Sequence, residues 1–296
     1  MPRKLFEGII DQQQGWLDPI GEAVGNAVIR AKIAGGDRAT QVLDWLHGVW
    51  LGHPLHPAIT DVPVGAWTAA FAMDAIDGVA PTSSLRRCAD GAIALGVCAG
   101  VGAAASGIAD WHHLGGHNRR LGLLHGLLNL GALALYTMAL ALRLGDRRSL
   151  GAKLSMLSYA LTSFSAYLGG ELVYGAGIGV DHTAWQKPPR DFVPVLPEAE
   201  LEENKPRRVY ADSAPILLVR RHGHIHALSE TCTHLGGPLA DGRLADEGIT
   251  CPWHGSLFAL DDGRVVHGPA TFGETSYDVR IKDGQIEVRP SAWTQY

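Results

Sequence analysis

The chain has 296 residues, length for about two domains, with 25 Lys and Arg against 30 Asp and Glu and a formal net charge of −5. A pI near 6.3 offers no basic surface, so no nucleic-acid partner is expected. The apolar residues are unevenly spread: 1–57 is mixed, 58–180 is apolar and 181–296 is polar.

In chain order, Met1 to Phe6 run into Glu7 and Asp11 without an apolar stretch, which predicts no cleavable signal peptide. Residues 37–51 set Val42, Trp45, Leu46, Val49 and Trp50 at helical spacing opposite Asp37, Arg38, Gln41 and Asp44. That stripe, with its two tryptophans, predicts an interfacial helix on a membrane surface within a tail of residues 1–50. A helix packed on the C-terminal domain is the competing reading.

Charge-free runs follow at 91–109, 121–142 and 154–170, each near the roughly 20 residues that cross a bilayer as a helix. A fourth run, 58–76, holds Asp61 and Asp74 near its ends, where a carboxylate costs far less than at the bilayer centre. Four membrane helices over 51–182 are therefore expected. Gly96 and Gly100, or Gly102 and Ser106, are spaced for close helix contact in lipid. A soluble bundle with a Gly- and Ala-rich core is the alternative. Cys88 and Cys98 read as packing residues.

An even number of crossings puts the tail and the C-terminal domain on one side of the membrane. The same count gathers His53, His56, His112, His113, His117, His125 and His182 there, with Asp61, Asp110, Glu171 and Asp181. From this group His53, His56, Asp61, His112 and His125 form the candidate site. His56 and His125 can be axial ligands of a b-type haem, or histidine and carboxylate can serve a quinone; plain structural roles are the third reading. The short loops opposite hold Arg86, Arg87, Arg143, Arg147, Arg148 and Lys153, against Arg119, Arg120, Lys187 and Arg190 on the near side. This excess predicts cytoplasmic short loops and a C-terminal domain on the outer face. Arg147-Arg148-Ser149-Leu150 faintly resembles a twin-arginine export signal, although an ordinary cytoplasmic anchor is the favoured reading. His53-Pro54-Leu55-His56-Pro57, with Asp61 and Pro63, resembles the signature of a family of small bacterial four-helix membrane proteins. That resemblance implies a multi-pass protein of the bacterial cell membrane and brings a layout without a chemistry.

Beyond residue 190 the pattern changes to short β-prone runs at 216–220, 224–228, 263–266, 276–281 and 285–289, broken at 221–223, 261–263 and 282–284. Cys232-Thr233-His234 and Cys251-Pro252-Trp253-His254 place two soft thiolates and two imidazoles within this stretch. Composition alone leaves tetrahedral zinc open. The flanking residues, Cys232 to Leu239 and Cys251 to Phe258, resemble the two cluster loops of Rieske ferredoxins, and His267 to Ala270 resembles the proline loop that covers the cluster. The resemblance spans about 192–290 and implies an antiparallel β domain at 190–296. It also implies a 2Fe-2S cluster with Cys232 and Cys251 on one iron and His234 and His254 on the other.

Ser256 and Pro269 are the expected surroundings of the cluster; Ser256 stands where high-potential relatives donate to a bridging sulfide, while Phe258 replaces a tyrosine donor. Gly237 and Trp253 stand where relatives in cytochrome bc complexes carry a disulfide. One donor kept and one lost predict a potential between the ferredoxin and bc-complex classes, within roughly −150 to +300 mV. The expected whole is a multidomain α and β chain, a four-transmembrane-helix bundle followed by an antiparallel β Rieske domain. Its expected work is relaying single electrons between a quinol or b-haem donor and a redox partner protein. The alternatives are a non-catalytic redox sensor or assembly factor, and a ferredoxin module merely tethered to the membrane. A terminal ring oxygenase needs a further iron-binding domain, and only six residues follow Pro290.

Overall fold

A computed structural model of the chain describes residues 3–291. Met1 and Pro2, where the signal-peptide expectation starts, and the last five residues of the expected C-terminal domain lie outside the described residues. Two compact units are present: Met1–Ala39 with Leu55–Ala176, and Thr40–Pro54 with Gly177–Tyr296.

The first unit is helical: α1 (Arg3–Gln12), α2 (Gln14–His47), α3 (Leu55–Val79), α4 (Ser83–Trp111), α5 (Gly116–Leu144) and α6 (Arg148–Gly170). Helix α2 bends at Gly36, where φ 54° and ψ −135° leave the helical region at a cost only glycine keeps small. Its residues from Thr40 onward belong to the second unit. Before the bend, Ile10 and Leu17 bury against Leu121, Leu123 and Leu168. Arg120 pairs with Asp11 at 2.8 Å and Asp18 at 2.9 Å, and Arg119 with Glu22 at 3.1 Å. Partly exposed pairs of this kind contribute up to about 1 kcal/mol each. Each buried Leu or Ile contributes about 1.5–3 kcal/mol, so the apolar contacts decide this docking.

Helix α3 packs on α4 and α5 on α6, each pair joined by a short loop. Asp77 accepts from the Thr82 N–H at 2.9 Å and Thr82 caps α4 through the Leu85 N–H. Trp67 stacks on Tyr136 with centroids 4.3 Å apart and an interplanar angle of 15°. The expected small-residue face is what admits it. Gly96 and Gly100 are buried, and a Cβ at position 100 would meet the Trp67 ring at 3.3 Å and Leu133 at 3.2 Å.

Four helices thus occupy 55–170 as expected, but among the described residues only α4 and α5 are long and apolar enough to cross a membrane. Helix α3 holds Asp61, Asp74 and Asp77, and α6 opens with Arg148 and Lys153 and continues through Ser155, Ser158, Thr162 and Ser165. The charges and hydroxyls pull both below the apolarity of a span. Arg143 also departs from its expected place as a loop cation. Its side chain is fully buried, paired with Asp74 and, at 3.3 Å, with Asp90, which also takes Arg148 at 2.7 Å.

The second unit holds three antiparallel sheets. One orders β1 (Val193–Pro197), β10 (Gln285–Pro290) and β9 (Tyr277–Lys282); one orders β2 (Arg207–Ala211), β3 (Ala214–Arg221) and β4 (His224–Ser229). The third runs β5 (Arg243–Ala245), β6 (Gly248–Thr250), β7 (Leu257–Phe258) and β8 (Val265–His267). The expected hairpin turns form where His222 and Gly223, or Asp283 and Gly284, accept positive φ. Strand β3 is apolar on both faces: Ile216 and Leu218 enter one core with Tyr277, Ile286 and Val288. Leu217 and Val219 enter another, with Leu228, Leu239, Ile249 and Phe258. Cys232 and Cys251 belong to that second core.

Candidate metal centre

Two loops of matching shape carry the four expected ligands. In the first, after β4, the Cys232 N–H donates to the Gly237 carbonyl and the Gly236 N–H returns to the Cys232 carbonyl, both at 2.8 Å. In the second, between β6 and β7, the Cys251 N–H donates to the Ser256 carbonyl at 2.8 Å and the Gly255 N–H to the Cys251 carbonyl at 3.1 Å. Gly236 and Gly255 close the loops with φ of 77° and 80°, a conformation a side chain would strain. The imidazole sits two residues after its cysteine in one loop and three in the other.

Both thiols are buried and both imidazoles are half-buried. The Cys251 thiol is pulled down to about 6, first by its hydrogen bond with Cys232 and then by the Trp253 and His254 backbone groups. The same bond, then burial, pushes Cys232 up. Burial lowers His254, which favours the neutral ring that a metal ligand needs. The His234 and His254 rings lie with centroids 5.1 Å apart at 86°. Two imidazoles bound at about 2.0 Å to one tetrahedral ion place their ring centres about 5 Å apart, so this pair fits a shared iron. Among the described residues no three His, Cys, Asp or Glu groups converge on one ion. Two buried thiols and two neighbouring imidazoles are the donor types a Rieske cluster takes, two sulfurs on one iron and two nitrogens on the other.

Gly237 must be glycine, since a Cβ there would meet Cys251 Sγ at 2.9 Å and the Trp253 ring at 3.1 Å. Trp253 thus fills the place where a disulfide would tie the loops, and all four cysteines of the chain are free. Ser256 is buried, and its Oγ accepts from the Ala270 N–H at 2.9 Å, leaving its own proton to donate elsewhere. Pro269 follows a cis peptide in the covering loop. Phe258 is fully buried in the core and offers no hydroxyl.

Two residues outside the expected set hold these loops. Glu274 is buried, its carboxyl pushed well up by burial, and its Oε1 accepts from the Thr233 N–H at 2.8 Å. Thr233 also donates through Oγ1 to the Phe272 carbonyl at 2.7 Å. The only sequence signal was an acid inside the otherwise uncharged stretch 265–276. Asp44 is the other: its Oδ2 lies 2.7 Å from His267 Nδ1 and its Oδ1 accepts from the Gly268 N–H at 2.8 Å. A Cβ at position 268 would meet His47 at 3.1 Å and Val49 at 3.3 Å. Of the two readings of 37–51, Thr40–Pro54 packs on the C-terminal unit.

The candidate membrane residues are divided between the two units. His53 falls in the second unit, edge-on to Phe272 at 6.1 Å. In the helical unit His112 lies against His113, with centroids 3.7 Å apart, and Asp61 is exposed on α3. His56 and His125 do meet, with centroids 6.2 Å apart.

Residues 191–278 match the Rieske [2Fe-2S] domain. The 3-phenylpropionate/cinnamic acid dioxygenase ferredoxin subunit of Escherichia coli (strain K12) is 30% identical over 92 residues, covering 30% of this chain and 85% of that protein. The chain belongs to the Rieske family. Apoptosis-inducing factor 3 of Homo sapiens is 34% identical over 92 residues, 31% of this chain, and the chain spans only 15% of its length. The ferredoxin of carbazole 1,9a-dioxygenase from Nocardioides aromaticivorans IC177 matches with a TM-score of 0.32 and 26% identity, over 34% of this chain and 98% of that one. Residues 52–182 match the predicted membrane protein family DUF2231. The chain thus joins a Rieske domain, which implies a 2Fe-2S cluster, to a domain of a membrane-protein family.

Proposed function

We propose that the protein is a membrane-anchored Rieske electron carrier in which Cys232, His234, Cys251 and His254 hold the cluster. A Rieske cluster supplies reversible one-electron exchange, at a potential raised by its neutral imidazole ligands. The observation that carries this reading is the pairing of two buried thiols with two half-buried imidazoles whose ring centroids lie 5.1 Å apart. Burial keeps water from the thiols, while the half-exposed edges of His234 and His254 give a partner its contact for electron exchange. Asp44 and Glu274 position the covering loop and the Cys-Thr-His loop, which limits the rearrangement that accompanies a change of charge.

The anchor is the helical unit, with all four of α3–α6 crossing the bilayer of a bacterial cell and the Rieske domain on the outer face. The apolar lengths of α4 and α5 and the membrane-protein family over 52–182 support it. The donor on this reading is a lipid-soluble quinol or a b-type haem, and the acceptor a redox partner protein. Carbonate-washed membranes should retain the full chain, and a quinol added to it in detergent should reduce the cluster in a single-turnover measurement. Release by carbonate would remove the anchor, and a cluster that dithionite reduces but neither quinol nor a haem in the same chain reduces would remove the donor.

A further inference from the structure

Two histidines far apart in sequence, near the start of α3 and on α5, meet inside the helical unit. The Nδ1 of His56 lies 2.8 Å from the Ala103 carbonyl, and the Nδ1 of His125 lies 2.8 Å from the Ser165 carbonyl. A carbonyl only accepts, so each Nδ1 carries the proton and each neutral ring presents its Nε2 lone pair. For His125 this is visible twice over, because the Asn129 amide donates to Nε2 at 3.1 Å. Backbone anchoring of one ring nitrogen is the arrangement that fixes a metal-binding imidazole at the other. Glycines stand against both rings: a Cβ at Gly107 would meet His56 at 2.9 Å, and one at Gly169 would meet His125 at 3.1 Å. The sequence thus leaves room for each imidazole and then pins it.

The separation indicates what lies between them. With a metal–nitrogen distance of about 2.0 Å, an imidazole centre stands about 3.1 Å from the metal, so rings on opposite sides of one metal have centres about 6.2 Å apart. The His56 and His125 centroids are 6.2 Å apart with planes at 86°. The cluster imidazoles, at 5.1 Å, have the separation of neighbours on one tetrahedral ion, and this pair has the separation of ligands on opposite sides. A bare ion needs further protein ligands, and among the described residues no third His, Cys, Asp or Glu joins them. A haem iron brings four nitrogens of its own and asks the protein only for the axial two. Its iron also changes state by one electron, the unit a Rieske cluster exchanges.

We infer that His56 and His125 are the axial ligands of one b-type haem held in the helical unit, with the Asn129 hydrogen bond giving way to the iron. This deepens the electron-carrier reading and rests on it for the haem's purpose.

The test uses the full chain purified in detergent, haem-loaded as isolated or titrated with hemin, with the Rieske resonance recorded on the same samples. One haem per chain with a low-spin, bis-imidazole spectrum is expected. His56→Gly and His125→Gly should each weaken haem retention at least about tenfold, and added imidazole should restore the low-spin spectrum, which a merely structural loss would not allow. His112→Ala should keep the haem. Wild-type protein that shows the Rieske resonance but takes up no haem would overturn the inference and leave the carrier reading standing. Loss of haem in His112→Ala with retention in both glycine variants would also overturn it. Haem uptake without a Rieske resonance would defeat the carrier reading instead.

Discussion

Ser256 and Glu274 act on the site in different ways, and each has its own measurement. The Ser256 hydroxyl accepts from the Ala270 N–H, so its proton is available to a cluster sulfur. A hydrogen bond to a charged acceptor is worth roughly 1.5–3 kcal/mol, and a one-electron couple shifts 59 mV for each tenfold change in equilibrium. Redox titration of Ser256→Ala should therefore read roughly 60–130 mV below wild type; an unchanged potential would refute the donor role. Glu274 accepts the Thr233 N–H at 2.8 Å between two candidate ligand residues. Glu274→Ala should cost about 1–3 kcal/mol in denaturant unfolding of the Rieske domain, with Glu274→Gln costing less because it keeps an acceptor. The four candidate ligands could be singled out in the sequence because cysteine and histidine sit within three residues of each other in both loops. Asp44 was not, because its partners His267 and Gly268 lie more than two hundred positions away and its own neighbours form a helix of interfacial appearance.

Among the elements, hairpins with strong turn chemistry could be read directly. Asp283 and Gly284 set the register of β9 on β10, which aligns Asp278 with Arg289, and their side chains pair at 2.8 Å. The Arg289 and Ser291 hydrogen bonds hold the Asp278 carboxyl below its ordinary 3.8. A lowered folded-state value adds stability that is present above pH 3.8 and lost as pH falls below it. For a pair this exposed the gain is up to about 1 kcal/mol, so Asp278→Asn should lower stability by no more than that at pH 7 and not at all in strong acid. Strands β1 and β2 and β5 to β7 were missed; β5 to β7 are two or three residues long, too short for alternation to register. The helices α3 to α6 were legible as apolar runs, but apolarity alone hid the ion-paired layer at Arg143. Removing one partner of a buried ion pair typically costs about 3–5 kcal/mol, so Arg143→Met should markedly lower the thermal midpoint of the detergent-solubilised bundle. A midpoint within error of wild type would mean that Asp74 and Asp90 are solvated instead.

At the scale of the whole molecule, the chain divides into two compact units, and α2 contributes residues to both, bending at Gly36 just before the boundary. That division was visible as a change from apolar to polar composition near residue 181, but not the return of Thr40–Pro54 to the C-terminal unit. Everything the protein does on this account begins with a binuclear iron centre on Cys232, His234, Cys251 and His254. Electron paramagnetic resonance of the anaerobically purified full chain after dithionite, with metal and sulfide analysis, tests it most directly. The account predicts a rhombic signal with average g below two, about two irons and two sulfides per chain, and loss of the signal in Cys232→Ala. Zinc in place of iron, with no such signal from the wild-type chain, would contradict it.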